Sequence, residues 1–139
     1  MKLVPIDQVS TAKSILWDLL AERSPEQSIS HKGMPTPGEH NAFVDRALKD
    51  EYHAWYLIQA DSKFVGSIYL TDRYEIGVSV FKAHQGHGYG PMAVRLLMDV
   101  FRHAPKFLAN INPANEPSRK MFEKLGFKKI QETYSLEAE

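Results

Sequence analysis

The sequence contains no cysteine, which removes disulfides, thiol nucleophiles and thiolate zinc sites from consideration. It also lacks a surplus of either charge: 17 Lys and Arg balance 17 Asp and Glu. Net charge therefore supplies no general pull toward nucleic acid or an anionic membrane, and neither is expected as a partner. No apolar run approaches the length of a membrane span, and the opening MKLVPIDQVS lacks the apolar stretch of a signal peptide. A soluble, cytoplasmic protein is the expectation. Repeats, linkers and low-complexity tracts are missing too. At 139 residues and 43% hydrophobic content, the chain has material for one core, so residues 1–139 are expected to form one domain.

What is present is an ordered succession of helical and strand-like periodicities. Residues 2–6 suit a short edge strand. From Ser10 onward Ala12, Ile15, Leu16, Leu19 and Leu20 fall at the spacing of an amphipathic helix ending near Arg23. Residues 24–35 are punctuated by Pro, Ser and Gly without periodicity and read as a loop. Thr36-Pro37-Gly38-Glu39 has the form of a capping box with proline in the first turn, so a second helix follows through Phe43, Val44, Ala47 and Leu48. Strand-like runs over 52–60, 63–71 and 74–81 are separated by Asp61-Ser62 and Asp72-Arg73, which predicts an antiparallel meander. A helix opened by Pro91, a short strand over 107–111, a helix over 115–125 capped by Gly126 and a last strand over 127–134 complete the chain. This β-α-α-β-β-β-α-β-α-β order belongs to a mixed α/β domain.

Between the third strand-like run of that meander and the helix after it lies Gln85-Gly86-His87-Gly88-Tyr89-Gly90-Pro91. Amides at a helix start have no partner within the helix, and the macrodipole favours an anion there. Glycines keep side chains away from those amides, and Pro91 removes only a donor the helix would not use. A phosphate or pyrophosphate is the natural guest. A dinucleotide fingerprint would need glycine where Pro91 stands, and a Walker loop would need Gly-Lys followed by Ser or Thr; neither is present. Alone, the glycines serve equally well as a tight strand-to-helix turn.

Taken with Asn115-Glu116-Pro117-Ser118-Arg119-Lys120-Met121-Phe122-Glu123-Lys124-Leu125-Gly126-Phe127, the loop resembles the GCN5-related N-acetyltransferase (GNAT) superfamily. Gln85, Gly88 and Gly90 fill its Gln/Arg-x-x-Gly-x-Gly/Ala motif. Asn115, Ser118, Phe122, Lys124, Gly126 and Phe127 fill the motif that follows the fifth strand. Each downstream residue also has an ordinary local use, such as Asn115 as N-cap or Gly126 as C-cap. Capping, however, does not require the distant companion loop. The match covers roughly residues 63–134, and the N-terminal half agrees in element order only.

The resemblance implies a mixed, mostly antiparallel central sheet flanked by about four helices, with splayed fourth and fifth strands. It implies acetyl-CoA as acyl donor, with main-chain contacts from Val78 and Val80 to the pantetheine arm. Gln85, Gly86, His87, Gly88, Tyr89, Gly90 and Pro91 would hold the pyrophosphate, and Asn115, Ser118 and Phe122 would line the thiol end. Glu75, early on the fourth strand, is the candidate base acting through water on an amine that is protonated at neutral pH. Backbone amides around residues 78–80 could polarise the thioester carbonyl. Where many members carry a tyrosine as general acid, this chain has Phe122, which has no proton to give. Ser118, Tyr134 and Tyr89 are the substitutes.

His31, His40 and Tyr69 are the candidate acceptor contacts, the two histidines lying where the superfamily builds its acceptor pocket. The histidines lack companion acids or thiols at ligand spacing, so no metal is expected. The expected reaction is acetyl transfer to the primary amine of a small molecule, an amino sugar or amino acid derivative, by direct attack in a ternary complex. The competing readings are acetylation of a protein N-terminus or lysine, and a non-catalytic acyl-CoA-binding regulatory domain. Exposed edge strands offer a route to a homodimer.

Overall fold

The computed structural model describes residues 1–23 and 34–138. Its elements are β1 (Lys2–Pro5), α1 (Ala12–Ala21), α2 (Pro37–Arg46), β2 (Tyr52–Ala60), β3 (Lys63–Thr71), β4 (Ile76–Val80), α3 (Tyr89–Val100) and α4 (Glu116–Lys124). The four strands form one antiparallel sheet in the order β1-β2-β3-β4. The result is the expected mixed α/β architecture, a four-stranded antiparallel sheet with four helices.

Local chemistry accounts for the junctions. Thr36 N–H donates to Glu39 Oε1 at 3.0 Å and Glu39 N–H to Thr36 Oγ1 at 3.1 Å, closing the capping box at the start of α2. At the far end that helix widens into one π turn, Ala47–Glu51, before entering β2. Asp61 and Ser62 both take positive φ, 51° and 66°, as a two-residue hairpin turn twisted like its strands requires.

Two apolar layers lie on opposite faces of the sheet. On one, Ile58, Ile68, Leu70 and Ile76 pack against Ala93, Val94 and Leu97 of α3 and Phe122 of α4. On the other, Trp55 and Leu57 meet Leu16 and Leu19 of α1 and Val44 of α2. Alternation along β3 divides the labour: Ile68 and Leu70 enter the first layer, while Ser67 and Tyr69 face the α1–α2 side. Leu57, Ile58, Ile68, Leu70 and Leu97 are wholly buried, each contributing about 1.5–3 kcal/mol of transfer free energy.

Two expected strands are not formed. Residues 107–111 make a single parallel bridge, Leu108 to Glu75, and residues 127–138 have no regular structure. A strand exists only through a partner ladder, and propensity does not supply one. Past the bridge, 107–111 diverges from β4, leaving no continuous edge for 127–134 to join. Ile130, Tyr134 and Leu136 of that segment are accordingly exposed. The splay expected between the fourth and fifth strands therefore appears as β4 meeting a non-ladder segment at one point.

Candidate active site

At the closed end of the splay, Ile76 N–H donates to Leu108 C=O at 2.7 Å and Leu108 N–H to Tyr74 C=O at 2.8 Å. On the other edge of β4, Phe81 N–H donates to Val65 C=O and Thr71 N–H to Glu75 C=O, both at 2.9 Å. Backbone groups alternate along a strand, so residues 75, 77, 79 and 81 address β3, whereas 76, 78 and 80 address the open side. Val78 N–H and C=O and Val80 N–H therefore face the cleft. Val80 C=O takes the Gln85 side-chain amide at 3.0 Å.

That bond ties the glycine loop to the strand it leaves. Gly88, at φ 77°, is the N-cap of α3 and offers no side chain to the helix amides; Gly86 has φ 86°. Both are conformations that L side chains avoid. Pro91 stands in the first turn, and the amides of Tyr89 and Gly90 open onto a cavity of about 350 Å³. Gln85, Gly86, Gly88, Tyr89, Gly90 and Pro91 line it together with Arg23, Lys82, His84 and Glu22, whose Oε1 accepts Lys82 N–H at 2.9 Å. Arg23, Lys82 and a helix N-terminus suit a pyrophosphate. His87 is exposed outside this lining, its ring 5.6 Å from that of Tyr89.

A second cavity, about 770 Å³, lies between α1, α2 and the sheet. The two cavities share Leu19, Arg23, Val78, Ser79, Asn115 and Ser118, and the last four make a junction halfway along β4. Asn115 is there because it caps α4, its Oδ1 accepting Ser118 N–H at 3.3 Å. Phe122, one turn on, lines the larger cavity and packs against Phe127 with ring centroids 5.0 Å apart.

Glu75 borders the larger cavity at the base of the splay. Its Oε1 accepts from the Thr71 hydroxyl at 3.2 Å and its Oε2 from Asn110 Nδ2 at 2.5 Å. Asn110 reaches it from the diverging 107–111 segment, so one carboxylate spans both sides of the cleft. Next to it, Tyr74 holds φ 64°, a strained value for a bulky residue. His40 is buried in the α1–α2 wall, its Nε2 3.3 Å from Lys13 C=O and its ring edge-on to Trp17.

Tyr52, Trp55 and Tyr69 form an aromatic wall. The Tyr52 and Tyr69 rings stack at 4.5 Å, and Trp55 lies 5.0 and 5.7 Å from them. Burial pushes both phenols above their ordinary value. The two hydroxyls also interact with each other. Trp55 Nε1 has no partner among the described residues.

Of the residues singled out in the sequence, Glu75, Ser118, Val78, Val80, Gln85, Asn115, Phe122, His40 and Tyr69 thus border the two connected cavities. Tyr134 does not: it is 88% exposed and donates to Glu132 on the unpaired tail. His31 lies outside the described residues. Sequence reasoning passed over Arg23, Thr71 and Asn110, and read Tyr52 and Trp55 as strand and core material. A polar Asn110 in the run Phe107-Leu108-Ala109-Asn110-Ile111 was the available signal. Among the described residues no three His, Asp or Glu side chains converge on a metal site, and no helix is long and apolar enough to cross a membrane.

A family model described as an acetyltransferase (GNAT) domain matches residues 12–128. No curated protein sequence matches the chain. Among solved structures, an aminoglycoside antibiotic 6'-N-acetyltransferase from Acinetobacter haemolyticus is similar with a TM-score of 0.71 at 17% identity, over 100% of this chain and 99% of that one. The yncA protein of Salmonella typhimurium, solved with its cofactor acetyl-CoA, gives 0.64 at 20% identity, over 91% and 77%. A chimeric spermidine N-acetyltransferase from Vibrio cholerae gives 0.73 at 13% identity, over 94% and 84%. At these identities the likeness is one of fold.

Proposed function

Because the chain belongs to the GNAT acetyltransferase family, we propose that it transfers the acetyl group of acetyl-CoA to the primary amine of a small molecule by direct attack in a ternary complex, as one domain over residues 1–139. The observation that carries this reading is the meeting of the two cavities at Val78, Ser79, Asn115 and Ser118. A basic, amide-lined chamber on one side suits the pyrophosphate. A larger chamber with a carboxylate suits the amine. The reacting carbonyl belongs where they join.

In this reading, pantetheine extends β4 as an added strand, bonding to the Val78 and Val80 backbone. The loop from Gln85 to Pro91 neutralises the pyrophosphate. Glu75, fixed by Thr71 and Asn110, takes the amine's surplus proton through a water, and the Val78 amide steadies charge developing on the carbonyl oxygen. Asn115 and Ser118 flank the thiol end. His40 and Tyr69 belong to the acceptor wall. A small acceptor is supported by the aromatic enclosure of the larger cavity, and among the similar folds are enzymes named for an aminoglycoside and for spermidine.

The test is release of CoA thiol from acetyl-CoA in the presence of spermidine, glucosamine, an aminoglycoside and amino acid amides. Since the chain has no cysteine, a thiol reagent reads product alone. Turnover with a member of the panel supports the reading. Tight acetyl-CoA binding without turnover on any amine would favour a regulatory acyl-CoA-binding domain.

A further inference from the structure

Strand register decides which side chains floor the larger cavity. Trp55 pairs with Tyr69 and Tyr69 with Gly77; one row on, Leu57 pairs with Ser67 and Ser67 with Ser79. Side chains alternate along a strand, so both rows point to the α1–α2 side. The first row is closed. The end of the Tyr69 ring covers Gly77, where a Cβ would fall 2.0 Å from Tyr69 Cζ, and Trp55 Nε1 is sealed from solvent. The second row ends in two hydroxyls. Ser67 is only 7% exposed and has no hydrogen-bond partner among the described residues. Since Trp55 Nε1 is the one described side-chain atom that lacks both a partner and access, the Ser67 hydroxyl keeps its access. It lines the larger cavity and not the smaller, whereas Ser79 lines both.

Opposite side chains on neighbouring strands lie about 5 Å apart, so one hydroxyl stands at the junction and its companion one strand further into the acceptor chamber. A nearly buried hydroxyl without a partner is costly, and a bound ligand that hydrogen-bonds to it offsets that cost. With the amine nitrogen at the junction, an oxygen on the carbon next to the amine-bearing carbon, plus one hydrogen bond, spans about one strand spacing. Charge decides what kind of oxygen. A carboxylate would share the chamber with Glu75. Of the chamber's guanidiniums, Arg46 is held by Glu51 at 3.1 Å and lies over Phe43, and Arg23 also lines the pyrophosphate cavity. A polyamine would want carboxylates along its length, but the chamber's other one, Glu39, accepts from Thr36 N–H. An uncharged hydroxyl both gives and takes a hydrogen bond, as a serine does.

Resting on the acetyl-transfer reading, we propose that the acceptor is a vicinal amino alcohol, with an uncharged hydroxyl on the carbon beside the amine-bearing carbon, and that Ser67, assisted by Ser79, is the specificity-determining residue that binds that hydroxyl. Ser67 takes no part in bond making. It fixes the acceptor by the oxygen nearest the amine and so turns the nitrogen toward the carbonyl at the junction. Amino sugars that carry a hydroxyl beside the amine belong to this class, and linear polyamines do not.

The experiment measures kcat/KM for trans-2-aminocyclohexanol and for cyclohexylamine, which differ by one hydroxyl, in wild type, Ser67→Ala and Ser79→Ala. The ratio of the two values is compared between proteins, which cancels the intrinsic reactivities of the amines. Ser67→Ala is expected to lower that ratio about 5- to 20-fold, chiefly through KM for the hydroxylated amine, with acetyl-CoA affinity within about twofold of wild type. Calorimetry of the two amines on CoA-loaded protein should show the same selective loss. Ser79→Ala should lower the ratio less, and it carries the test if Ser67→Ala does not fold. An unchanged ratio in the folded variant would overturn the assignment, as would wild-type protein that acetylates spermidine in preference to both ring amines. Wild-type protein that releases no CoA with any amine would instead sink the acetyl-transfer reading, and the Ser67 assignment with it.

Discussion

The two residues whose identities are most tightly interlocked are Gly77 and Tyr69, because one is shaped by what the other lacks. Replacing Gly77 by alanine puts a methyl group where the phenol ring lies, so the ring must swing off β4. Overpacking of this kind costs about 1–3 kcal/mol. Gly77→Ala is expected to lower the thermal midpoint modestly and to reduce turnover by more than that loss explains, measured as kcat at a temperature where the variant is fully folded. Sequence made Tyr69 visible as an acceptor-cleft residue, yet gave no hint of Gly77, since cross-strand partners are fixed by register. Glu75 was singled out through the family resemblance, and it borders the larger cavity. Its holder Asn110 was not, because a hydrogen bond spanning 35 positions leaves no local pattern; Thr71, four positions away, was passed over as an ordinary strand residue.

Among the elements, helices and hairpin strands were read almost to the residue, and for local reasons. The β2 and β3 boundaries follow from the Asp61-Ser62 turn, and the start of α2 follows from its capping box. Loss of the Thr36 hydroxyl in Thr36→Ala is expected to cost about 1 kcal/mol, a fall of about 3 °C in the thermal midpoint. The Thr36 backbone and hydroxyl hold the Glu39 carboxyl below its ordinary value of 4.5. A depressed folded value means the contribution is present above the unfolded value and lost as pH falls through the folded one. The stability gap between wild type and Glu39→Gln should therefore be open at pH 7 and closed in strong acid, which thermal melts across a pH series would show. A gap widening in acid would contradict the cap's role. Residues 107–111 and 127–134 have strand-like composition but form no ladder, and whether a ladder forms is decided by distant chain.

For the whole molecule, the helices are divided between two faces of one sheet, and both cavities sit where that sheet comes open. A ligand spanning the junction would touch α1, β4, α3 and α4 together, so its binding should stabilise the fold as a unit. At 100 times its dissociation constant acetyl-CoA adds about 2.7 kcal/mol, or about 9 °C in the thermal midpoint for a chain of this length. Calorimetry or a dye-based melt measures it, and an unchanged midpoint at saturating acetyl-CoA would count against the cofactor site. The single bridge between Glu75 and Leu108 carries one more consequence. It leaves Ile76 tied down while Val78 and Val80, two and four residues on, hold their amides out to water. Those two positions are therefore built-in isotope reporters: in deuterated buffer they should label quickly in the free protein and slowly once an extended ligand lies along β4, with Ile76 slow in both.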